Sequence, residues 1–526
     1  MRKLFKTLLI GLFCISINTS FFAQTLDLES TYKISGKAKR GVLGKVTYDS
    51  GNKIYSLVYV TKSTDRKAKF ETYKFDKDFN FIEKTEDVIE YEKAKLKFSW
   101  FNWNGDEYST TGMYVEPNLI GTLVLRQKRI TYKYDWFLLG YYTVTDILKK
   151  VKPKTEDGRK LFYYTHAEDD ITGDVYILCG IKPLMKKNGG DWFQHMQKFV
   201  ILKYNKDVEL VNETSFEIKY PQKLAFARRI DNEKGGVGGL VLVFAPTKEG
   251  GKKVADPDMK NYRYIRTDNN PSVVENIEFK SHNSFWKINE LIYNPATDDV
   301  YIFGPSADNK AKYYNEMTTT SKFASIQLMK VADRKIEYLT QTNLDEFEAK
   351  LKKPASQKKT PAYKGKKFRI ANYHISNEGD FFVSGQNFKP SDNGNKYLDV
   401  LGFHFDKTGK LKAQYSVDIN ESNPAAKAHG TEQIFLENIQ TGNVFWILFE
   451  IKGVAPAHGK MLTYPRIGKI NVKNGTINDF LALGNATKHY LDTNFPFLQT
   501  TEENSLVFFG SDKGGKEIWF ARIKLE

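Results

Sequence analysis

The feature that most constrains this chain is a unit that keeps returning: a polar turn leading into a short apolar strand, often closed by glycine. It reads "GNKIYSLVYV", "NGDEYSTTG", "TGDVYILCG", "VGGLVLVF", "TDDVYIFG", "EGDFFVSG", "TGNVFWILF" and "ENSLVFFG". Anchored at Ile54, Glu107, Val175, Leu240, Val300, Phe381, Val444 and Leu506, the copies are separated by 53, 68, 65, 60, 81, 63 and 62 residues. Self-similarity at a near-constant period marks a repeat architecture, in which each unit buries its apolar surface on its neighbours. A second hairpin completes the unit. "LGFHFDKTGKLKAQYSV" (401–417) has relatives at Tyr73, Leu202, Tyr264, Met329 and Gly468, each with Asp, Asn, Lys or Gly between two strands. Asp and Asn bond locally to the backbone, and Gly and Asn tolerate positive φ, so such segments reverse tightly.

A unit of about 60 residues with four short strands predicts an all-β fold, a closed β-propeller of about eight four-stranded blades, with seven as the alternative. Strands buried on both faces explain continuous apolar runs such as Val175 to Cys179. The final strand, "EIWFARIKLE", leaves its blade one strand short, and "TLDLESTYKI" can supply it. N- and C-terminal strands sharing one blade would remove two exposed sheet edges. Residues 25–526 are therefore expected to form a single propeller domain, with an insertion at about 343–367. There Asn343 and Glu346 form a capping-box pattern, and Leu344, Phe347 and Leu351 share a helical face. "KKPASQKKTPAYKGKK" follows and reads as a mobile basic loop.

The first 24 residues carry Arg2, Lys3 and Lys6, then an apolar stretch from Leu8 to Ile17, the layout of a cleaved secretory signal peptide ending near Gln24. Phe13 before Cys14 argues against a lipid anchor. Removal of this segment leaves Cys179 as the one cysteine, so the core rather than a disulfide must stabilise the chain. No later apolar run reaches membrane-spanning length. The net charge of +16, or +13 without the three leader cations, suits anionic surfaces or acidic partners. Nothing in it resembles a nucleic-acid motif, and no nucleic-acid partner is expected.

Candidate chemistry is sparse. His429, His458 and His489 lack zinc spacing, and the acids Glu168, Asp169, Asp170 and Asp174 lack the EF-hand pattern and read as turn chemistry. There is no Gly-x-Ser-x-Gly and no assignable pair of glycosidase carboxylates. No enzyme activity, cofactor or metal is expected. Partner-binding candidates are Trp100, Trp103, Trp192 and His195 in aromatic, amide-rich segments, with Lys352, Lys353, Lys358 and Lys359 of the basic loop.

The leader ending in Ala23 and Gln24 and the turns of the type "FDKTGKL" resemble those of exported β-propellers of Bacteroidota, over essentially the whole mature chain. That resemblance implies a scaffold or accessory subunit of an envelope protein complex, such as an outer-membrane secretion or gliding machinery, including a subunit that caps a translocon. The chain stops at Glu526 directly after its last strand, which points to the periplasm at the outer membrane rather than to secretion or the cell surface. A carbohydrate-binding or carbohydrate-active propeller, and a small ligand or metal in the central channel, stand as alternatives.

Overall fold

The computed structural model describes residues 26–525 except 65–66, 91–100, 104–106, 119–120, 136, 138–139, 156, 182–195, 248–260, 284, 308–322, 360, 393, 419–422, 456–460 and 501–503. The eight sequence anchors fall on the second strands of eight successive sheets, which cover 42–90, 101–151, 161–217, 222–279, 285–343, 351–417, 432–482 and 489–524. They are called sheets 1 to 8. Sheets 1 to 4 have four strands bonded in chain order, and sheets 5 to 8 have five. Pairing among the described residues is antiparallel, except that Leu351–Lys352 runs parallel to Leu411–Val417.

Local chemistry sets the turns between third and fourth strands. In the hairpin singled out above, Asp406 Oδ1 accepts the backbone N–H of Thr408 at 2.9 Å and of Lys410 at 3.1 Å. The same double acceptance occurs at Asp76, Asn205 and Asp268. In three of these four turns the backbone is left-handed three residues after the acceptor, at Gly409 with φ 79°, but also at Phe79 with φ 61° and Val208 with φ 56°. A bulky residue there costs roughly 1–3 kcal/mol and needs the surroundings to hold it. Burial does so: Phe79 stacks on Phe520 of sheet 8 at 4.8 Å, and Val208 is buried between sheets 2 and 3.

Seven apolar clusters hold the sheets in series. They join sheet 2 to 3, 3 to 4, 4 to 5, 5 to 6, 6 to 7, 7 to 8 and 8 back to 1. Among the described residues no such cluster spans sheets 1 and 2. The step from 8 to 1 exists because Leu26–Lys33 pairs antiparallel with Glu517–Lys524, matching Tyr32 with Ile518. Trp519 Nε1 also donates to Glu29 Oε1 at 2.7 Å, so the two chain ends share one sheet as the sequence suggested.

Among the described residues three short helices interrupt the strands: α1 (Gly36–Arg40), α2 (Leu344–Ala349) and α3 (Pro424–Ala428). At α2 the Asn343 N–H donates to Glu346 Oε1 at 3.0 Å, and Phe347 is fully buried against Phe403. The basic stretch after it is held at several points, which revises the mobile loop. Ser356 donates through both N and Oγ to Asp479 Oδ1 at 2.8 Å, and Gln357 Oε1 accepts from Asp418 N.

Candidate ligand site between the first strands

The first strands of successive sheets lie side by side, Leu161–Glu168 next to Gln222–Asp231 and Phe368–Ile375 next to Glu432–Glu437. Gln222–Asp231, Glu290–Asn294 and Phe368–Ile375 come from sheets 4, 5 and 6, yet together they line one cavity of about 310 Å³. Tyr373 of sheet 6 therefore faces the same space as Arg228 and Arg229 of sheet 4, across sheet 5. A second cavity, about 340 Å³, is lined by Arg369, Gln386, Tyr397, Glu432 and Gln433. One strand borders both, from its two faces: a bulge between Ile370 and Asn372 turns Tyr373, with Val383, towards sheet 5, and Arg369, opposite Gln386, towards sheet 7.

Both arginines of the first cavity are already paired. Arg228 forms an ion pair with Glu290 of sheet 5. Arg229 reaches Asp231 at 2.9 Å and Asp170 of sheet 3 at 3.1 Å, and donates to the Glu168 carbonyl. Tyr293 donates to Asp298 Oδ1 at 2.9 Å, under the Arg266 guanidinium. Desolvation, with Asp298 adding to it, pushes the Tyr293 hydroxyl up. Its Arg266 bond holds the Asp298 carboxyl below its ordinary range. Carboxylates tied to guanidinium groups stay ionised and serve as acceptors, not as proton donors. Leu291, Pro295 and the ring of Tyr373, 41% exposed, add apolar contact.

In the second cavity Arg369 donates to the Tyr397 hydroxyl at 2.6 Å. Gln433 is 3% exposed, and its Oε1 has no hydrogen-bond partner among the described residues. A buried acceptor left unmade costs free energy, so a donor from a bound molecule would be favoured there.

The residues expected to bind a partner lie elsewhere. Trp100, Trp192 and His195 fall outside the described residues; Trp103 ends the strand Phe101–Trp103, and its side chain is likewise outside them. Lys352, Lys358 and Lys359 are exposed, whereas Lys353 Nζ is turned back onto the carbonyls of Gln357 and Lys358. Lys358 and Lys359 border a third hollow, with Arg466 and Phe480 of sheet 7. Among the described residues no group of three His, Cys, Asp or Glu side chains is placed to hold a metal. Asp169 is turn chemistry: against its desolvation, N–H donors from Thr172, Val237 and Ile171 hold its carboxyl low. Sequence reasoning missed Arg228, Tyr293, Tyr373 and Gln433. The available signal was a pair of adjacent arginines, and tyrosines just before turns, on strands that begin a repeat.

No family model matches the sequence, and no curated protein does. Solved structures with some likeness include propeller folds. A GH43 beta-xylosidase/alpha-arabinofuranosidase from a compost microbial metagenome is 13% identical, covers 61% of this chain and 94% of its own, with a TM-score of 0.25. The Neurospora crassa Pan2 WD40 domain is 8% identical, covers 95% of each chain and has a TM-score of 0.24. An apocarotenoid oxygenase from Synechocystis is 8% identical over 88% of this chain and 94% of its own, at 0.25. The expectation of a protein without enzyme activity is corrected here, because enzymes, among them several of the GH43 and xylosidase type, stand among these structures. Likeness of this degree assigns no reaction to the chain.

Proposed function

We propose that the eight sheets are blades of a closed propeller whose axial space binds an uncharged, hydroxyl-rich ligand of the carbohydrate class. The observation that carries this reading is the cavity shared by sheets 4, 5 and 6, in which both arginines are neutralised by Glu290, Asp231 and Asp170 beside an exposed tyrosine ring. A free cationic pocket would favour an anion. Paired guanidinium and carboxylate groups instead offer fixed donors and acceptors to hydroxyls, while the ring covers an apolar sugar face. The unmatched Gln433 acceptor offers a second polar anchor in the neighbouring cavity, on the sheet 7 side of Phe368–Ile375.

A second reading draws on the pinned basic segment, which presents Lys352, Lys358 and Lys359 to solvent. It is a docking arm for an acidic protein of the cell envelope, with the propeller in the periplasm at the outer membrane. One experiment separates the two. The purified protein is screened on an oligosaccharide array and hits are titrated by calorimetry, with Tyr373→Ala and Gln433→Leu expected to weaken binding about tenfold each. Absence of saturable sugar binding sinks the first reading. A discrete envelope protein that co-purifies after gentle detergent extraction, and is lost when the three lysines become glutamates, would put the second in its place.

A further inference from the structure

We propose that a hollow at the junction of sheets 8 and 1 binds a phosphate-class dianion, which does there what a carboxylate of the chain does at the junction of sheets 4 and 5. The hollow has a volume of about 280 Å³. Among the described residues it is lined by Lys53, Lys77, Ser505, Arg522 and Lys524, four cations and no acid. Lys53 and Lys77 stand in turns of sheet 1, and the other three on the last two strands of sheet 8. The inference does not rest on the sugar site.

The two junctions share a plan. Arg266 of sheet 4 lies opposite Val241 and Arg522 of sheet 8 opposite Val507, in each case the residue after the sequence anchor. Each guanidinium leans over a ring of the following sheet, Tyr293 at 5.5 Å and Phe79 at 5.6 Å. Each pairs with an acid on the strand beside it, Arg266 with Glu275 at 3.1 Å and Arg522 with Asp27 at 2.5 Å. The plans part at the first turn of the following sheet. Asn294 pairs with Asp299 and Asp49 with Ile54, so Asp298 and Lys53 hold the same place, and both are left-handed, with φ 59° and 55°. Asp298 closes on Arg266 as an ion pair. Lys53 instead brings a like charge to the hollow that Arg522 lines.

The carboxylates nearby leave this difference standing. Asp27 serves Arg522 and, at 3.6 Å, Lys524; Asp78 serves Lys77 at 2.7 Å and lies 3.7 Å from Arg522. Asp49 and Asp76 accept N–H groups of their own turns. Lys53 has no ion-pair partner among the described residues, and Lys524 only shares one, so two ammonium groups face the hollow under-compensated. Two ammonium charges match one dianion. Ammonium groups arriving from different sheets suit the tetrahedral oxygens of a phosphate, each of which accepts along its own direction, better than a flat carboxylate. The shared chemistry is that of a phosphate group, whether a free ion or the headgroup of a lipid.

The test is calorimetric titration of the purified protein with inorganic phosphate and, separately, with vesicles containing phosphatidic acid, at an ionic strength fixed with chloride. Saturable binding of inorganic phosphate identifies a free ion, and binding of the vesicles alone a headgroup. In either arm Lys53→Ala and Lys524→Ala should each weaken binding about fivefold. Lys53→Asp gives the junction a carboxylate of its own, as in sheet 5. It is expected to abolish binding and, in phosphate-free buffer, to melt at a higher temperature than Lys53→Asn, which tolerates the left-handed backbone equally but carries no charge. Absence of binding in both arms, binding unchanged in Lys53→Asp, or a melting temperature no higher there than in Lys53→Asn overturns the proposal. So does binding that emerges only after Glu502→Gln, Glu503→Gln and Glu526→Gln, the acids next in sequence to the sheet 8 strands, since the chain then neutralises the hollow itself.

Discussion

Two hairpins occupy the same place in their sheets and have been put to opposite uses. In sheet 6, Gly394–Phe405 and Leu411–Val417 meet at the Asp406 turn, and nearly every residue of the second strand is buried. In sheet 2, Leu125–Asp135 and Gly140–Val151 meet at the Asp135 turn, and the second strand is exposed over most of its length. Both turns have an aspartate that accepts the backbone N–H two residues on. A shared local device thus says how a chain reverses and nothing about whether its strands enter a core. What decides is whether neighbouring sheets close on them: among the described residues, sheet 6 lies between apolar clusters on both sides, and sheet 2 has one on the side of sheet 3.

The contrast can be broken most directly in the cores. Phe403 is fully buried and meets Phe347 at 4.9 Å, Tyr363 at 5.6 Å and Phe368 at 5.1 Å. Phe403→Ala is expected to cost about 3–5 kcal/mol in urea unfolding, and Ile147→Ala less than about 0.5 kcal/mol. Equal costs would show that the sheet 2 hairpin is covered in solution.

The turns come next. Asp406→Ala removes the acceptor of two N–H groups and should cost about 1–2 kcal/mol. Asp135→Ala, which removes the acceptor of the Phe137 N–H from a hairpin whose second strand is exposed, should cost less by the same measurement.

The third expectation concerns pH. His404, fully buried in sheet 6, contacts Asp380 at 2.8 Å and Tyr415 at 3.0 Å. Desolvation holds its imidazole below the ordinary 6.5, against the pull of Asp380. Asp380, despite its own desolvation, is held low by His404 and Lys412. Both groups take up protons more readily when unfolded, so each contributes stability above its unfolded value that is lost on acidification. The melting temperature should fall as pH drops from about 7 to about 5, and more gently in His404→Gln. An unchanged slope in that variant would remove His404 from the account.

The reversals and the second strands were legible in the sequence because their causes are local: an Asp or Asn at the turn, and continuous apolar residues wherever both faces are packed. The anchors from Ile54 to Leu506 fall on eight second strands for that reason. The parallel pairing of Leu351–Lys352 was hidden, since two residues carry no periodicity. So was the cavity, which joins Arg228, Tyr293 and Tyr373 from three separate repeats. The exposure of Val144 and Ile147 was equally hidden, because whether an apolar strand residue is covered depends on the neighbouring sheets and not on local pattern.

The union of Leu26–Lys33 with Glu517–Lys524 also bears on when the molecule can mature. Glu29 and Trp519 stand 490 positions apart, so the clasp must wait for nearly the entire polypeptide to be made, and closing so wide a loop is slow. Until Glu517–Lys524 has been made, Leu26–Lys33 has no strand to pair with, so the first strand of the described chain is among the last to be fixed in place.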